Sequence, residues 1–237
     1  MGVRLGRSAN EQLRELHGNL VVSCQARESN PLHGPIFMAA MAKAALLGGA
    51  AGIRADGVTD IKAIAAAVGP EVPIMGINKF KMPDGSLFIT PTAASAHEII
   101  DAGSRLVALD GTLRDRPGGE HLRDVIASIH AKGCVALADC GTIEHARFAL
   151  DCGADAIGTT MAGYTPDSHK TDGPDFDLLV SMVALAGAPV FAEGRIWTRE
   201  DARQALELGA SFVVVGTAIT NPTEITRRFV EAMKTGQ

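Results

Sequence analysis

Six ionic or amide residues stand at or near the ends of short apolar runs. Gln25 closes NLVVSCQ and Arg54 falls in AAGIRA, Lys79 closes PIMGINK, Asp110 falls in RLVALDG, Asp139 in CVALADC, and Glu193 in PVFAEGR. Brought to one place, an amine and several carboxylates can move protons on a bound molecule. A lysine acting as base needs its ordinary pKa of about 10.4 brought toward roughly 7 or 8, by partial burial or by a neighbouring cation such as Arg54. A glutamate across from Lys79 could carry the opposite transfer, or it could pair with the lysine and do nothing more. For any single residue, a salt bridge closing the end of the fold is an equal reading. Their concentration at one kind of position weighs against that reading.

Two later segments suit a phosphate. EGRI (193–196) supplies Gly194 and Arg195, and VGTAITNP (215–222) supplies Gly216, Thr217 and a following helix whose first amides are free to donate. Glycine lets a backbone approach an anion closely, although the same glycines could serve only as turns. The seven histidines, at 17, 33, 97, 121, 130, 145 and 169, include no pair at metal-ligand spacing. Neither G-x-S-x-G nor G-x-x-x-x-G-K occurs, so no serine nucleophile, nucleotide, metal or other cofactor is expected.

The elements that must carry these residues alternate with a period of about thirty residues. Eight β-branched runs, 19–25, 50–55, 73–79, 105–111, 134–140, 154–160, 189–195 and 211–217, are separated mostly by amphipathic stretches. One of these runs from Gly119 to Lys132 and has Leu122, Val125, Ile126 and Ile129 on one face. Thr198 before Glu200 and Asp201, and Asn221-Pro222-Thr223-Glu224, read as helix starts. Gly103, Gly133, Gly153 and Gly209 read as left-handed helix ends. DAGSRLVALDGT, DCGADAIGTT and ELGASFVVVGT form a faint repeat of helix end, strand and Gly-Thr exit.

The pattern predicts an α/β fold, a (β/α)8 barrel over 1–237 as a single domain with a short N-terminal helix. The alternative, an open doubly wound sheet, lacks its glycine-rich first turn here. In a barrel the active site lies at the carboxyl ends of the strands, and strands three and seven stand opposite each other. Spacings such as Ser23/Gln25, Gly52/Arg54 and Leu137/Asp139 bring a polar group to the mouth above a packed layer. Segment 80–90, FKMPDGSLFIT, reads as a loop with one turn.

Apolar residues make up 46% and charged residues 21% of the 237, enough to bury a sizeable core. The net charge of −5 comes without a basic block, which argues against nucleic acid as a partner. Cys24, Cys134, Cys140 and Cys152 lack C-x-x-C spacing and are expected reduced and buried. The first eighteen residues mix Arg4, Arg7, Glu11, Arg14 and Glu15 into their apolar positions, unlike a signal peptide, and no run suits a membrane span. A cytoplasmic address is expected.

Taken together, VVSCQA (21–26), PLHG (31–34), MAAMAKAA (38–45), GIRADG (52–57), FITPT (88–92), ALDGT (108–112), IGTTMAGYT (157–165), PDFDLL (174–179), AEGRI (192–196) and VVVGTAIT (213–220) resemble, in order, the N-acetylmannosamine-6-phosphate 2-epimerases of bacterial sialic acid breakdown. The resemblance implies interconversion of N-acetylmannosamine 6-phosphate and N-acetylglucosamine 6-phosphate. It further implies Lys79 as the residue exchanging the proton at carbon 2, Glu193 as acid, and Gln25, Arg54 and Asp139 around the sugar and its acetamido group. By the same resemblance Gly194, Arg195, Gly216 and Thr217 grip the phosphate, and the enzyme is a homodimer. Two departures stand out: Asn221 where the family often has arginine, and GINKFK, with a polar Asn78, around the lysine. Rival readings are another phosphosugar barrel, an aldose-ketose isomerase or thiamin-phosphate type synthase, and a sugar-phosphate-binding barrel without turnover.

Overall fold

The computed structural model describes residues 7–82, 85–185 and 187–234; Arg4, Pro83 and Asp84 lie outside these. All eight expected runs form parallel strands: β1 (Leu20–Cys24), β2 (Gly52–Asp56), β3 (Ile74–Ile77), β6 (Leu106–Asp110), β7 (Val135–Asp139), β8 (Ala156–Gly158), β9 (Val190–Glu193) and β10 (Phe212–Val215). They close into a barrel in the order β1-β10-β9-β8-β7-β6-β3-β2, the ring of a (β/α)8 barrel. β4 (Lys79–Lys81) and β5 (Leu87–Ile89) pair antiparallel in a separate ribbon. Segment 80–90, expected as a loop with one turn, thus carries two short paired strands among its described residues. Its strands are three residues each, too short for periodicity to register.

Period-two alternation sorts the strand residues into two cores. Val21, Met75, Ile77, Leu106, Ala108, Val135, Leu137, Ala156, Phe191, Phe212 and Val214 fill the barrel. Their neighbours, among them Val22, Ile53, Ala55, Val107, Ala136 and Ile157, pack outward against the helices. Phe191 and Phe212 stack with centroids 5.2 Å apart. A Cβ at Gly158 would lie 2.1 Å from the Phe191 ring, so only glycine fits there. The N-terminal helix α1 (Ala9–Glu15) closes the bottom, where Ala9, Leu13 and the following Leu16 join the interior cluster.

Around the ring run α2 (Pro35–Leu47), α3 (Val58–Val68), α4 (Ala93–Asp101), α5 (Leu122–Ala131), α6 (Ile143–Asp151), α7 (Phe176–Ala184), α8 (Arg199–Glu207), a single turn α9 (Thr217–Thr220) and α10 (Pro222–Lys234). The expected ends hold. Gly103, Gly133, Gly153 and Gly209 all take positive φ, and each starts a paired Schellman closure, as in Gly103 N–H to Ile100 O and Ser104 N–H to Ile99 O. Thr198 and Asp201 form a reciprocal capping box, and Asn221 Oδ1 accepts the Glu224 N–H at 3.2 Å. All four cysteines are buried and free, and burial pushes the Cys24 thiol up to about 12.

Candidate active site

The alternation that fills the barrel also sets what stands at its mouth. Two residues beyond an inward-facing residue on each strand come Gln25 (after Ser23), Asp56 (after Arg54), Lys79 (after Ile77), Asp110 (after Ala108), Asp139 (after Leu137), Thr160 (after Gly158), Glu193 (after Phe191) and Gly216 (after Val214). Six sequence-expected polar residues thus sit at strand ends on one side of the barrel. Five of them form two groups, a third is made by the turns beside them, and Asp110 stands apart.

The first group is a buried ion cluster. Arg54 is held bidentate by Asp139, Nη1 to Oδ1 at 3.0 Å and Nη2 to Oδ2 at 2.7 Å, and Nη1 also lies 2.8 Å from Glu193 Oε2. The Arg54, Asp139 and Glu193 side chains are only 1%, 0% and 14% exposed. One cation therefore serves two carboxylates. Burial is the largest influence on Glu193, and it lifts the carboxyl to about 7 even though Arg54 pulls it back down. Such a group is protonated or ionised with equal ease near neutral pH, which suits an acid or base. The Arg54 Nε finds no partner of its own.

The second group surrounds the amine. Lys79 opens β4, two residues past β3, and its backbone N–H is fixed by Asp56 Oδ1 at 3.0 Å. Its Nζ donates to Gln25 Oε1 and lies 3.5 Å from Asp56 Oδ2, while Gln25 Nε2 donates to Ser23 Oγ at 2.7 Å. The cation expected beside the lysine, Arg54, is instead committed to Asp139 and Glu193. Asn78, the departure beside the base, turns away from the mouth, and its Nδ2 donates to Glu98 Oε2 on α4 at 2.9 Å. β3 and β9 are four places apart in the eight-membered ring, so the strand ends that lead to Lys79 and carry Glu193 stand opposite each other. The amine is close enough for its charge to act on Glu193.

Two strained residues lie beside these candidates, and two threonines brace them. Thr90 (φ 45°) and Arg195 (φ 55°) take positive φ without being glycine. Thr90 donates its N–H to Asn78 O and accepts the Asn78 N–H on Oγ1, which ties the residue before Lys79 to the hairpin's return strand. Thr159 Oγ1 donates to Glu193 O at 2.9 Å and accepts the Glu193 N–H at 3.1 Å, gripping the backbone of the acid.

The third group is the pair of turns after β9 and β10, which are adjacent strands. Gly194 (φ 109°) and Arg195 form the first. The second is Gly216 and Thr217, where Ile219 makes the first bond back to Gly216 O, so the amides of Thr217 and Ala218 precede the helical ladder. Thr220 Oγ1 donates to Ser23 O and anchors this turn on β1. The Arg195 side chain is committed to its own end of the barrel. Its guanidinium donates to Gly173 O (2.9 Å), Ala162 O (2.9 Å) and Thr171 Oγ1 (3.0 Å), fastening the loop between β8 and α7.

Sequence reasoning missed Asp56 and Thr160, although extending the alternation from Arg54 and from Gly158 would have found both. Asp110, counted among the six, is occupied elsewhere. Its Oδ1 accepts from the Thr112 N–H and Oγ1, and its Oδ2 pairs with Arg114.

Residues 38–235 match the model of the family described as "Putative N-acetylmannosamine-6-phosphate epimerase". The chain belongs to this family. A Clostridium perfringens protein named "Putative N-acetylmannosamine-6-phosphate 2-epimerase" is 46% identical over 217 residues, covering 92% of this chain and 97% of its own. A relative of the same name from Clostridioides difficile is 43% identical over 222 residues, covering 94% and 99%. The solved structure of the N-acetylmannosamine-6-phosphate 2-epimerase from Clostridium perfringens superposes with a TM-score of 0.91 at 42% identity, over 98% of this chain and 100% of that one. Thiamine phosphate pyrophosphorylase from Pyrococcus furiosus, at TM-score 0.61 and 18% identity over 94% of this chain and 96% of that one, shares the fold.

Proposed function

We propose that this chain, acting as one catalytic domain, interconverts N-acetylmannosamine 6-phosphate and N-acetylglucosamine 6-phosphate by removing and returning the proton at carbon 2. The observation that carries the reading is a buried carboxyl, Glu193, poised near neutrality at one barrel mouth and within reach of the Lys79 charge. Family membership supplies the substrate class.

In this reading Glu193 assists opening of the sugar ring to the aldehyde. Lys79 takes the carbon 2 proton, and nearby hydrogen-bond donors stabilise the enolate as charge moves to oxygen. A proton returned to the opposite face inverts the centre, and no electron acceptor is involved. Gln25 steers the lysine, while Arg54 and Asp139 orient Glu193 and meet the polar groups of the sugar. The phosphate sits on backbone amides of the two adjacent turns, Gly194–Arg195 and Gly216–Thr217.

A homodimer and a cytoplasmic address belong to the same proposal. The first is supported by bare apolar surface on two helices: Ile36 and Leu47 on α2 are 81% and 91% exposed, and Phe229 and Met233 on α10 are 69% and 75% exposed. Among the described residues no helix is long and apolar enough to cross a membrane.

Incubation with N-acetylmannosamine 6-phosphate in heavy water, followed by NMR, tests the assignment. The gluco epimer should accumulate with deuterium at carbon 2. Lys79→Ala should lose roughly 10²–10⁴-fold in exchange rate. Undiminished exchange in that variant removes the lysine from the mechanism.

A further inference from the structure

We propose that Thr160 is a positioning residue of the proton-transfer site, giving its own hydrogen to Asp139 and presenting a lone pair that only protonated Glu193 can bond. The inference rests on the reading of Glu193 as the acid.

Thr160 Oγ1 lies 2.6 Å from Asp139 Oδ1 and 3.2 Å from Glu193 Oε2. A hydroxyl has one hydrogen and cannot donate to both carboxylates. The shorter contact has the length of a charge-assisted O–H···O⁻ bond, so the hydrogen belongs to Asp139. What Thr160 then turns toward Glu193 is an acceptor. Against an ionised Glu193 the 3.2 Å contact sets lone pair against lone pair. Against the protonated acid it is the second link of a chain, Glu193 O–H to Thr160 O–H to Asp139.

Among the described residues no other hydroxyl is within hydrogen-bond distance of the Glu193 carboxyl. Arg54, from β2, supplies only donors, Lys79 a positive charge, and Asp139, from β7, already has both oxygens engaged by the Arg54 fork and the threonine. Asp56 lies beyond Lys79 and is bonded to it. β10, on the other flank, brings Val214 alongside and no charge. Thr159 fixes the backbone of Glu193 and leaves the carboxyl to its successor. The consecutive threonines of IGTT thus divide the work, one holding the main chain of the acid and the other its protonated head.

The opposite assignment, with the hydroxyl donating to Glu193, would stabilise the carboxylate, so the two arrangements differ in sign. Measurement of kcat/KM for N-acetylmannosamine 6-phosphate from about pH 5 to about pH 9 in the full chain, its Thr160→Val and its Thr160→Ser variants separates them. An infrared titration of the Glu193 carboxyl, assigned by its disappearance in Glu193→Gln, reads the same quantity without turnover. Losing the acceptor should move the Glu193 titration and the high-pH limb down by roughly half to one pH unit in the valine variant, and kcat by roughly three- to tenfold. Serine should restore both. A limb and carboxyl titration that move upward in Thr160→Val, or stay in place, overturn the proposal. If the wild-type chain fails to interconvert the sugars, the functional reading falls, while the infrared titration still decides the role of Thr160.

Discussion

At the amino-terminal end of the barrel, α1 inserts Ala9 and Leu13, with Leu16 following, among Val21, Leu106, Val135 and Phe212, an apolar cluster beside which the buried Gln12 donates to Pro70 O. At the carboxyl end the equivalent depth holds Arg54, Asp139 and Glu193, a cation and two carboxyls almost without water. The same strands build both ends, so the difference lies in side-chain choice and not in backbone. The bottom gains from burial at roughly 25 cal/mol per Å² of apolar surface. The top works against desolvation, because a buried ion pair seldom stabilises as much as apolar residues of like size. Apolar burial at one end thus offsets the desolvation that the ion cluster costs at the other.

The sharpest way to break the contrast is to remove the cation. Arg54→Met leaves Asp139 and Glu193 buried together without their shared cation, which should destabilise the fold by about 3–5 kcal/mol. The loss should grow with rising pH, because at low pH the carboxyls can be neutralised by protons. Denaturant melts at two pH values check it; an equal loss at both would mean the cluster acts by packing alone. At the other end, Leu16→Ala removes a fully buried side chain whose Cδ2 reaches to within 2.9 Å of where a Cβ at Gly52 would stand. It should cost about 2–4 kcal/mol of stability. Turnover by the folded fraction should be unchanged, since the plug lies a barrel's depth from the mouth. A matching fall in kcat would show that the two ends are not independent.

A smaller effect has the opposite direction. The Glu193 carboxyl is raised in the folded chain to about 7 from an ordinary 4.5, so between those values the folded state holds a proton that the unfolded chain releases. Stability therefore declines as pH rises through that window, and the penalty is complete above it. Glu193→Gln keeps an acceptor for Arg54 and a donor for Thr160 but never ionises. It should be more stable than wild type by about 1–3 kcal/mol at alkaline pH, with the gain fading toward zero near pH 4.5, while proton exchange collapses. Thermal melts across the window decide it, and a variant that is less stable at every pH would show that Glu193 contributes to the fold.

The barrel was legible because its signals are local. β-branched runs, threonine caps and C-terminal glycines are each set within a few residues, and the Gly103, Gly153 and Gly209 repeats mark equivalent joints. The convergence of Lys79, Asp139 and Glu193 was legible too, since alternation and ring symmetry fix which strand ends meet. Partner choice was not. Arg54 reaches Asp139 across 85 positions, and nothing in GIRADG says that its guanidinium will bridge two carboxylates rather than sit beside Lys79. Arg195 shows the same limit: its neighbours in sequence fix its backbone, but the carbonyls that capture its side chain belong to a loop that starts more than thirty residues earlier. The β4–β5 hairpin escaped because its strands are shorter than the period that would reveal them.

The least of the expected effects concerns Asn221, the position where the resembled family often carries arginine. Here its side chain is occupied in starting α10, with Oδ1 on the Glu224 N–H, and Pro222 fills the first helical position. An asparagine used in this way is turned along the helix axis and contributes to stability, not to anion binding. Asn221→Ala should therefore cost about 0.5–1 kcal/mol through the lost cap and leave KM for the phosphosugar within about twofold. Paired melts and steady-state kinetics separate the two terms. A KM that rises severalfold with no change in melting would place Asn221 on the phosphate and return this turn, with Gly216 and Thr217, to the side of the molecule that binds and not the side that holds it together.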